Sequence, residues 1–284
     1  MPELRHPGPR HPVRRQGIAV ATRAVHTVLP PHTPLVDALA AVVEATGHTS
    51  GQVELSGGVL DRISYCVPAL CDDGSVAASY SATREAACPA QVLTGSVTVG
   101  FREGRRFAHC HAVWLEPGGA LRAGHLWPDS RTGDVPVGAT VFGLSGVDMV
   151  NARDDETHMP CFAPVPGTAG DPVGGPAVIA RIRPGEDVTG AVTALSREHD
   201  LAGATVRGSL GSLAGGVLAG PSGPCRVDGP ATEVVLSGAV RDGEARLSAV
   251  LVDRHGAVHA GALVPGANPV AVTAEVLIVG EERT

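Results

Sequence analysis

The sequence predicts an α+β chain built as two tandem repeats, each a mainly antiparallel sheet packed on one principal helix. Three observations carry this. The 284 residues are comfortable for two domains of ordinary size. Short apolar runs are separated by D-G, H-G and P-G punctuation, the mark of strands joined by tight turns. Finally, the chain resembles itself: H-A-V-W-L-E-P-G-G-A-L-R-A-G-H-L-W-P (111–128) aligns without a gap on S-A-V-L-V-D-R-H-G-A-V-H-A-G-A-L-V-P (248–265), and L-T-G-S-V (93–97) matches L-S-G-A-V (236–240).

In chain order, residues 1–23 are dense in Pro, Arg and His. Prolines forbid a helix there, and the segment reads as a disordered basic tail. The first domain spans 24–160. Its helix at 34–45 places Leu35, Leu39, Val42 and Val43 on one side. Strands follow at 53–55, 92–99, 107–115, 121–127 and 139–144. The breaker-rich stretch P-G-T-A-G-D-P-V-G-G-P marks a linker at 161–176. The second domain, 177–284, opens on a strand. Asp187 then caps a helix from 188 to about 199, with Val188, Val192 and Leu195 at helical spacing. Strands at 204–210, 216–218, 234–240, 245–252, 258–264 and 270–279 complete it.

Aromatic residues make up 3% of the chain, so the cores must be built from Val, Leu, Ala and Ile. The formal charge of −7 is a poor footprint for non-specific nucleic-acid binding. No apolar run reaches the roughly 18 residues that span a bilayer, and the N-terminus lacks a signal-peptide core, so a cytoplasmic location is expected. The six cysteines form no C-x-x-C pair and read as free thiols.

The segment from G-E-D-V-T-G-A-V-T-A-L-S-R-E-H-D-L (185–201), through L-S-G-A-V and G-A-V-H-A-G-A-L-V-P-G (256–266), to V-T-A-E-V (272–276) resembles the plant- and prokaryote-conserved (PPC) domain. The resemblance is strong over 181–279. It reaches about 26–150 more weakly, through the repeat. It implies that each sheet is curved, mainly antiparallel and packed on its helix, and that the chain forms a homotrimer. The R-G-R-P hook that some plant proteins attach to such domains is absent from the N-terminal segment.

Chemistry concentrates on three histidines. His109 and His111 lie two apart on a predicted strand and share a face. If the E-P-G-G-A turn centres on Gly118, His111 falls opposite His125 and His109 lies diagonal to it. Cβ atoms are then about 5 to 7 Å apart. Three imidazoles that converge this way can hold zinc or another divalent metal, one per chain, with a fourth position open; a hydrogen-bonded cluster without metal is the plainer alternative. The PPC resemblance adds that some members carry H-x-H followed by G-H, and the wider fold group is similar to acetolactate decarboxylase. In the second repeat the corresponding positions hold Arg246, Ser248 and Ala262, so no metal is expected there. Glu54, beside S-G-G, and Glu156, in D-D-E-T-H-M-P-C-F, are the candidate proton-transfer groups. Three readings remain at this point. One is a metal-dependent lyase or hydrolase acting on a small carboxylate. The others are a DNA-associated protein and a scaffold in which the histidines stabilise the trimer.

Overall fold

A computed structural model describes residues 4–71, 73–167, 174–229 and 232–281. It is an α+β architecture of mostly antiparallel sheets, with two helices among the described residues. The chain enters through β1 (Arg15–Thr22) and β2 (Ala24–Val28), continues into α1 (Leu35–Glu44), and then forms β3 (Gly51–Ser56), β4 (Ala90–Arg102), β5 (Arg105–Leu115), β6 (Leu121–Leu126) and β7 (Gly138–Gly143). A hairpin of β8 (Val147–Arg153) and β9 (Pro160–Pro166) leads to the second half. There β10 (Gly175–Ile182), α2 (Val188–Glu198), β11 (Ala204–Leu213), β12 (Thr232–Arg241), β13 (Glu244–Val252), β14 (Val258–Ala262) and β15 (Val270–Gly280) follow.

The two large sheets have matching strand orders. The first runs β2-β7-β3-β4-β5-β6 and continues into short strands at 64–66 and 84–85; the second runs β1-β10-β15-β11-β12-β13-β14, repeating that order after its extra edge strand β1. In each half one helix follows the first strand. Leu35, Leu39 and Val43 of α1 pack on Val53, Val97, Val99 and Trp114. Val188, Val192 and Leu195 of α2 pack on Val178, Val234, Val276 and Ile278. Asp187 caps α2 by accepting from the Gly190 N–H at 2.8 Å. A third apolar cluster joins the halves: Phe142, Met149 and Phe162 meet Ile179 and Leu277.

Two expectations are corrected. Among the described residues, 4–23, the N-terminal segment is not a disordered tail. Residues 15–22 form the edge strand of the second sheet, in antiparallel register from Arg15↔Ile182 to Thr22↔Gly175. The proline run ends at Pro12, and Gln16–Thr22 brings alternating apolar side chains to an otherwise open edge. Upstream, the Gly8 N–H donates to the Glu156 carbonyl at 3.0 Å, and Arg14 pairs with Glu156 at 2.7 Å. The 161–176 linker is also shorter than expected. Pro160–Pro166 is a strand that, among the described residues, pairs with β8 alone, an edge position where proline costs no ladder bond. Gly175 already begins β10, and positions 168–173 lie outside the described residues.

Candidate metal centre

The β5–β6 hairpin builds the centre. Its register runs from Leu115↔Leu121 to Cys110↔Leu126, which sets His111 directly opposite His125. His109 lies two residues back on the same face. Ring centroids are 4.6 Å apart for His109–His111, 5.0 Å for His109–His125 and 5.5 Å for His111–His125. Ligand atoms of all three lie within 4.8 Å of one another, so the group can hold a metal ion.

The face that carries these rings is turned toward the second sheet, which supplies partners that the sequence did not reveal. His109 Nδ1 lies 2.9 Å from Glu275 Oε2 on β15. His111 Nδ1 lies 3.0 Å from the Val234 carbonyl on β12. His111 Nε2 lies 2.9 Å from Glu233 Oε2 and 3.0 Å from His109 Nε2. Glu275 is fully buried in V-A-V-T-A-E-V-L-I-V, and a lone carboxylate in so apolar a strand is the one signal that could have pointed to it. Glu233 had no comparable signal.

These contacts fix the chemistry of the nitrogens. A carbonyl only accepts, so His111 Nδ1 carries a hydrogen and donates it to Val234. His109 Nδ1 donates to the Glu275 carboxylate in the same way. Both rings therefore turn Nε2 inward, where His109 Nε2, His111 Nε2 and Glu233 Oε2 converge. Three acceptors around one point can share a single proton, whereas a cation satisfies them all. Two nitrogens bound to one tetrahedral zinc stand about 3.3 Å apart, close to the spacing found here. Carboxylate and carbonyl partners on the outer nitrogens are the usual orienting contacts of metal-bound histidine.

Burial opposes charge on His109, but the Glu275 carboxylate, its hydrogen bond and Glu233 outweigh it and raise the pKa. Burial, then the positive potential of His109 and His111, pushes His125 well below its ordinary value. His125 is thus neutral, as a ligand must be. Its Nδ1 is buried with no hydrogen-bond partner among the described residues. The donor set fits a divalent metal.

A cavity of about 90 Å³ opens beside the rings, lined by His109, His125, Glu233, Tyr80, Trp127 and Arg102 among others. Neither glutamate singled out from the sequence lines it. Glu54 accepts from Arg207 Nε at 2.9 Å, Arg207 Nη2 at 2.7 Å and the Gly208 N–H at 2.9 Å, so it clasps the second half. Gly208 is required there: its φ is +52°, and an added Cβ would stand 3.0 Å from Gln52 Cβ. Glu156 is held by Arg14 and by the His11 N–H at 3.1 Å. In the second half the same hairpin geometry recurs with Ser248 opposite Ala262 and Arg246 on β13.

The fold and site together define an α+β protein with an inter-sheet histidine group. In the second half, residues 171–281 match the Plants and Prokaryotes Conserved (PCC) domain. Among solved structures, a metal-containing protein from Archaeoglobus fulgidus is 18% identical, with a TM-score of 0.41 over 50% of this chain and 94% of that one. A plant- and prokaryote-conserved protein from Pyrococcus horikoshii is 12% identical, with a TM-score of 0.41 over 51% and 93%. A candidate DNA-binding protein from Ralstonia eutropha JMP134 is 10% identical, with a TM-score of 0.40 over 50% and 95%. No curated protein matches the chain. No helix among the described residues is long and apolar enough to cross a membrane.

Proposed function

We propose that the chain is a metalloenzyme made of two copies of the PPC domain, with one zinc ion held by His109, His111 and His125 and a small carboxylate-type substrate. The observation that carries this is that ligand atoms of His109, His111 and His125 all lie within 4.8 Å of one another, beside a cavity that His109 and His125 line. The matching strand orders support the duplication. A bound zinc would polarise a carbonyl or activate a water, the chemistry of a lyase or hydrolase.

The chain's own residues do the rest. Glu275 and the Val234 carbonyl hold the two rings in the tautomers that aim Nε2 inward. Glu233 lines the cavity and is the group placed to take up or return a proton there, the role first sought in Glu54 and Glu156. Tyr80 packs against His125 with tilted rings whose centroids are 5.2 Å apart, and it lines the cavity.

The test is elemental analysis of protein purified without added metal. One ion per chain that disappears in His111→Ala supports the reading; none in the wild type overturns it. Light scattering checks the homotrimer expected of PPC domains. The DNA-associated reading would require the N-terminal arginines to be free for phosphates. Arg14 and Arg15 instead pair with Glu156, Glu186 and Glu198. Binding to DNA that weakens steeply with salt would favour it nonetheless.

A further inference from the structure

We infer that a groove walled by the N-terminal segment binds a small organic phosphate with two or more negative charges, held by Arg5, Arg10 and Arg226. The groove shares no lining residue with the cavity beside the histidines, so the inference does not rest on a metal there.

Residues 4–14 have no helix or strand, yet they are pinned along their length. Leu4 packs on Ala214 and Ala271. His6 Nε2 donates to the Ala271 carbonyl at 2.8 Å. The Gly8 N–H donates to the Glu156 carbonyl at 3.0 Å. A Cβ at Gly8 would fall 1.7 Å from the Asp155 carbonyl oxygen, so only glycine allows this approach. Arg14 donates to Glu156 and to the Pro184 carbonyl. Pro7, Pro9 and Pro12 already restrict the free chain, which lowers the entropy lost on docking. A segment with the composition of a tail is thereby held as a preorganised wall.

The rest of the lining comes from the second half, including the 184–185 turn, Arg226 and residues 266–270. The groove encloses about 760 Å³. Sites for small molecules span roughly 300–1,000 Å³, so a nucleotide-sized molecule is accommodated. Leu4, Ala267, Pro269 and Val270 give part of the lining an apolar character, which suits an uncharged body attached to the anion.

Charge selects the anion. The chain has 29 acidic and 22 basic side chains, yet four arginines and one acid line this groove. That acid, Glu156, is engaged by Arg14 at 2.7 Å. Glu186 is shared by Arg10 and Arg14 at 3.7 Å and Arg15 at 3.4 Å. Arg10 is 71% exposed. No carboxylate pairs with Arg5 or Arg226 among the described residues. Burial lowers the His6 pKa, so that ring adds no charge near neutral pH. Three arginines thus line one space without full neutralisation. Guanidinium forks match phosphate oxygens, and long stems let exposed heads swing onto a ligand seated among them. A monocarboxylate answers one of the three; a diphosphate answers two or more.

Calorimetry of the full-length protein with ADP tests this, with a chelator present because diphosphates also bind zinc. ADP should bind saturably, AMP at least about threefold more weakly, and adenosine not at all. Arg5→Ala and Arg226→Ala should each weaken ADP by at least about fivefold. Both residues are exposed, so these variants should melt as the wild type does. Gly8→Ala should also weaken ADP, although it removes no charge, because the wall no longer seats. Arg105→Ala, at an exposed residue outside the groove, should leave affinity within about twofold. Absence of saturable ADP binding up to about 5 mM would overturn the inference. So would equal binding of adenosine, tighter binding of citrate, or unchanged affinity in the Arg5→Ala, Arg226→Ala double variant or in Gly8→Ala. Binding that appears only when metal is restored would assign ADP to the histidines instead. A single-stranded oligonucleotide of about 20 residues that binds orders of magnitude more tightly than ADP would make the groove a nucleic-acid interface, and would equally overturn the small-molecule assignment.

Discussion

The β5–β6 and β13–β14 hairpins share a register and almost nothing else. In the first, His111 faces His125; in the second, Ser248 faces Ala262. The first hairpin is buried against the opposite sheet, so its rings meet Glu275, Glu233 and a backbone carbonyl. In the second, Arg246, Ser248 and Ala262 are exposed. Backbone geometry alone is therefore not what makes a metal site. The second half contributes by completing the first half's site, and its own hairpin carries no ligand side chains at these positions.

The largest expected effect breaks that asymmetry at its source. His111→Ala should lower metal affinity by at least about 100-fold, because it removes a ligand and leaves Glu233 facing an open point. The reciprocal graft, Arg246→His with Ser248→His and Ala262→His, should not produce a second tight site. It supplies rings but no buried partners to fix their tautomers. Equilibrium dialysis with zinc reads both. A graft that binds as tightly as the native site would refute the claim that the facing sheet is needed.

The next effect isolates one partner. Glu275→Gln keeps the shape of the side chain but removes the charge that holds His109 Nδ1–H. Metal affinity should fall by about 10- to 100-fold, the usual cost of losing an orienting partner. An unchanged affinity would mean that the hairpin orients His109 by itself.

Legibility from the sequence follows the same division. The hairpin could be counted from one turn, E-P-G-G-A, because a β-ladder fixes every pair once its centre is known. The helices were legible from Leu35, Leu39 and Val188, Val192, Leu195 at helical spacing. Contacts between the sheets were not legible. His109 and Glu275 are 166 positions apart, and no local pattern encodes which strand faces which. The N-terminal strand was missed for a related reason. Proline density in 1–12 outweighs a short apolar run whose partner, β10, lies across the whole first half.

A smaller effect concerns the seam between the halves, through pH. Asp154, after β8, accepts from Arg183 at 2.6 Å and lies 2.8 Å from Arg181. Burial alone would raise its pKa, but Arg181, the Thr157 N–H and Arg183 together hold it well below the carboxylate range. A carboxylate depressed in the folded state adds stability above its unfolded pKa of about 3.9 and loses it as pH falls through that value toward the folded one. Thermal melts should therefore decline below about pH 5, and Asp154→Asn should flatten that limb while lowering the plateau at neutral pH. Equal slopes in both proteins would show that this seam does not control acid stability.

The smallest expected effect on the metal separates clasping residues from chemical ones. Glu54 shares a face with the histidines: the register runs Glu54↔Ser96 and then Ser96↔His111. That places it two strands away, roughly 10 Å at ordinary strand spacing. Proximity of that kind made it a reasonable proton-transfer candidate, but all three of its contacts go to Arg207 and Gly208. The pair is partly exposed, at 36% for Arg207 and 28% for Glu54, so solvent screens it. Glu54→Gln should cost about 1–2 kcal/mol of stability. Glu156→Gln should loosen the N-terminal segment through Arg14 and His11. Both variants should keep one metal per chain with affinity within about twofold of wild type, since neither touches a ring or the partner of a ring. A Glu233→Gln variant measured beside them supplies the contrast: it should impair turnover of whatever substrate the site accepts, and alter the pH profile, while the melt stays close to wild type. Loss of metal in Glu54→Gln without loss of fold would return that residue to the site and weaken the distinction drawn between the two glutamates.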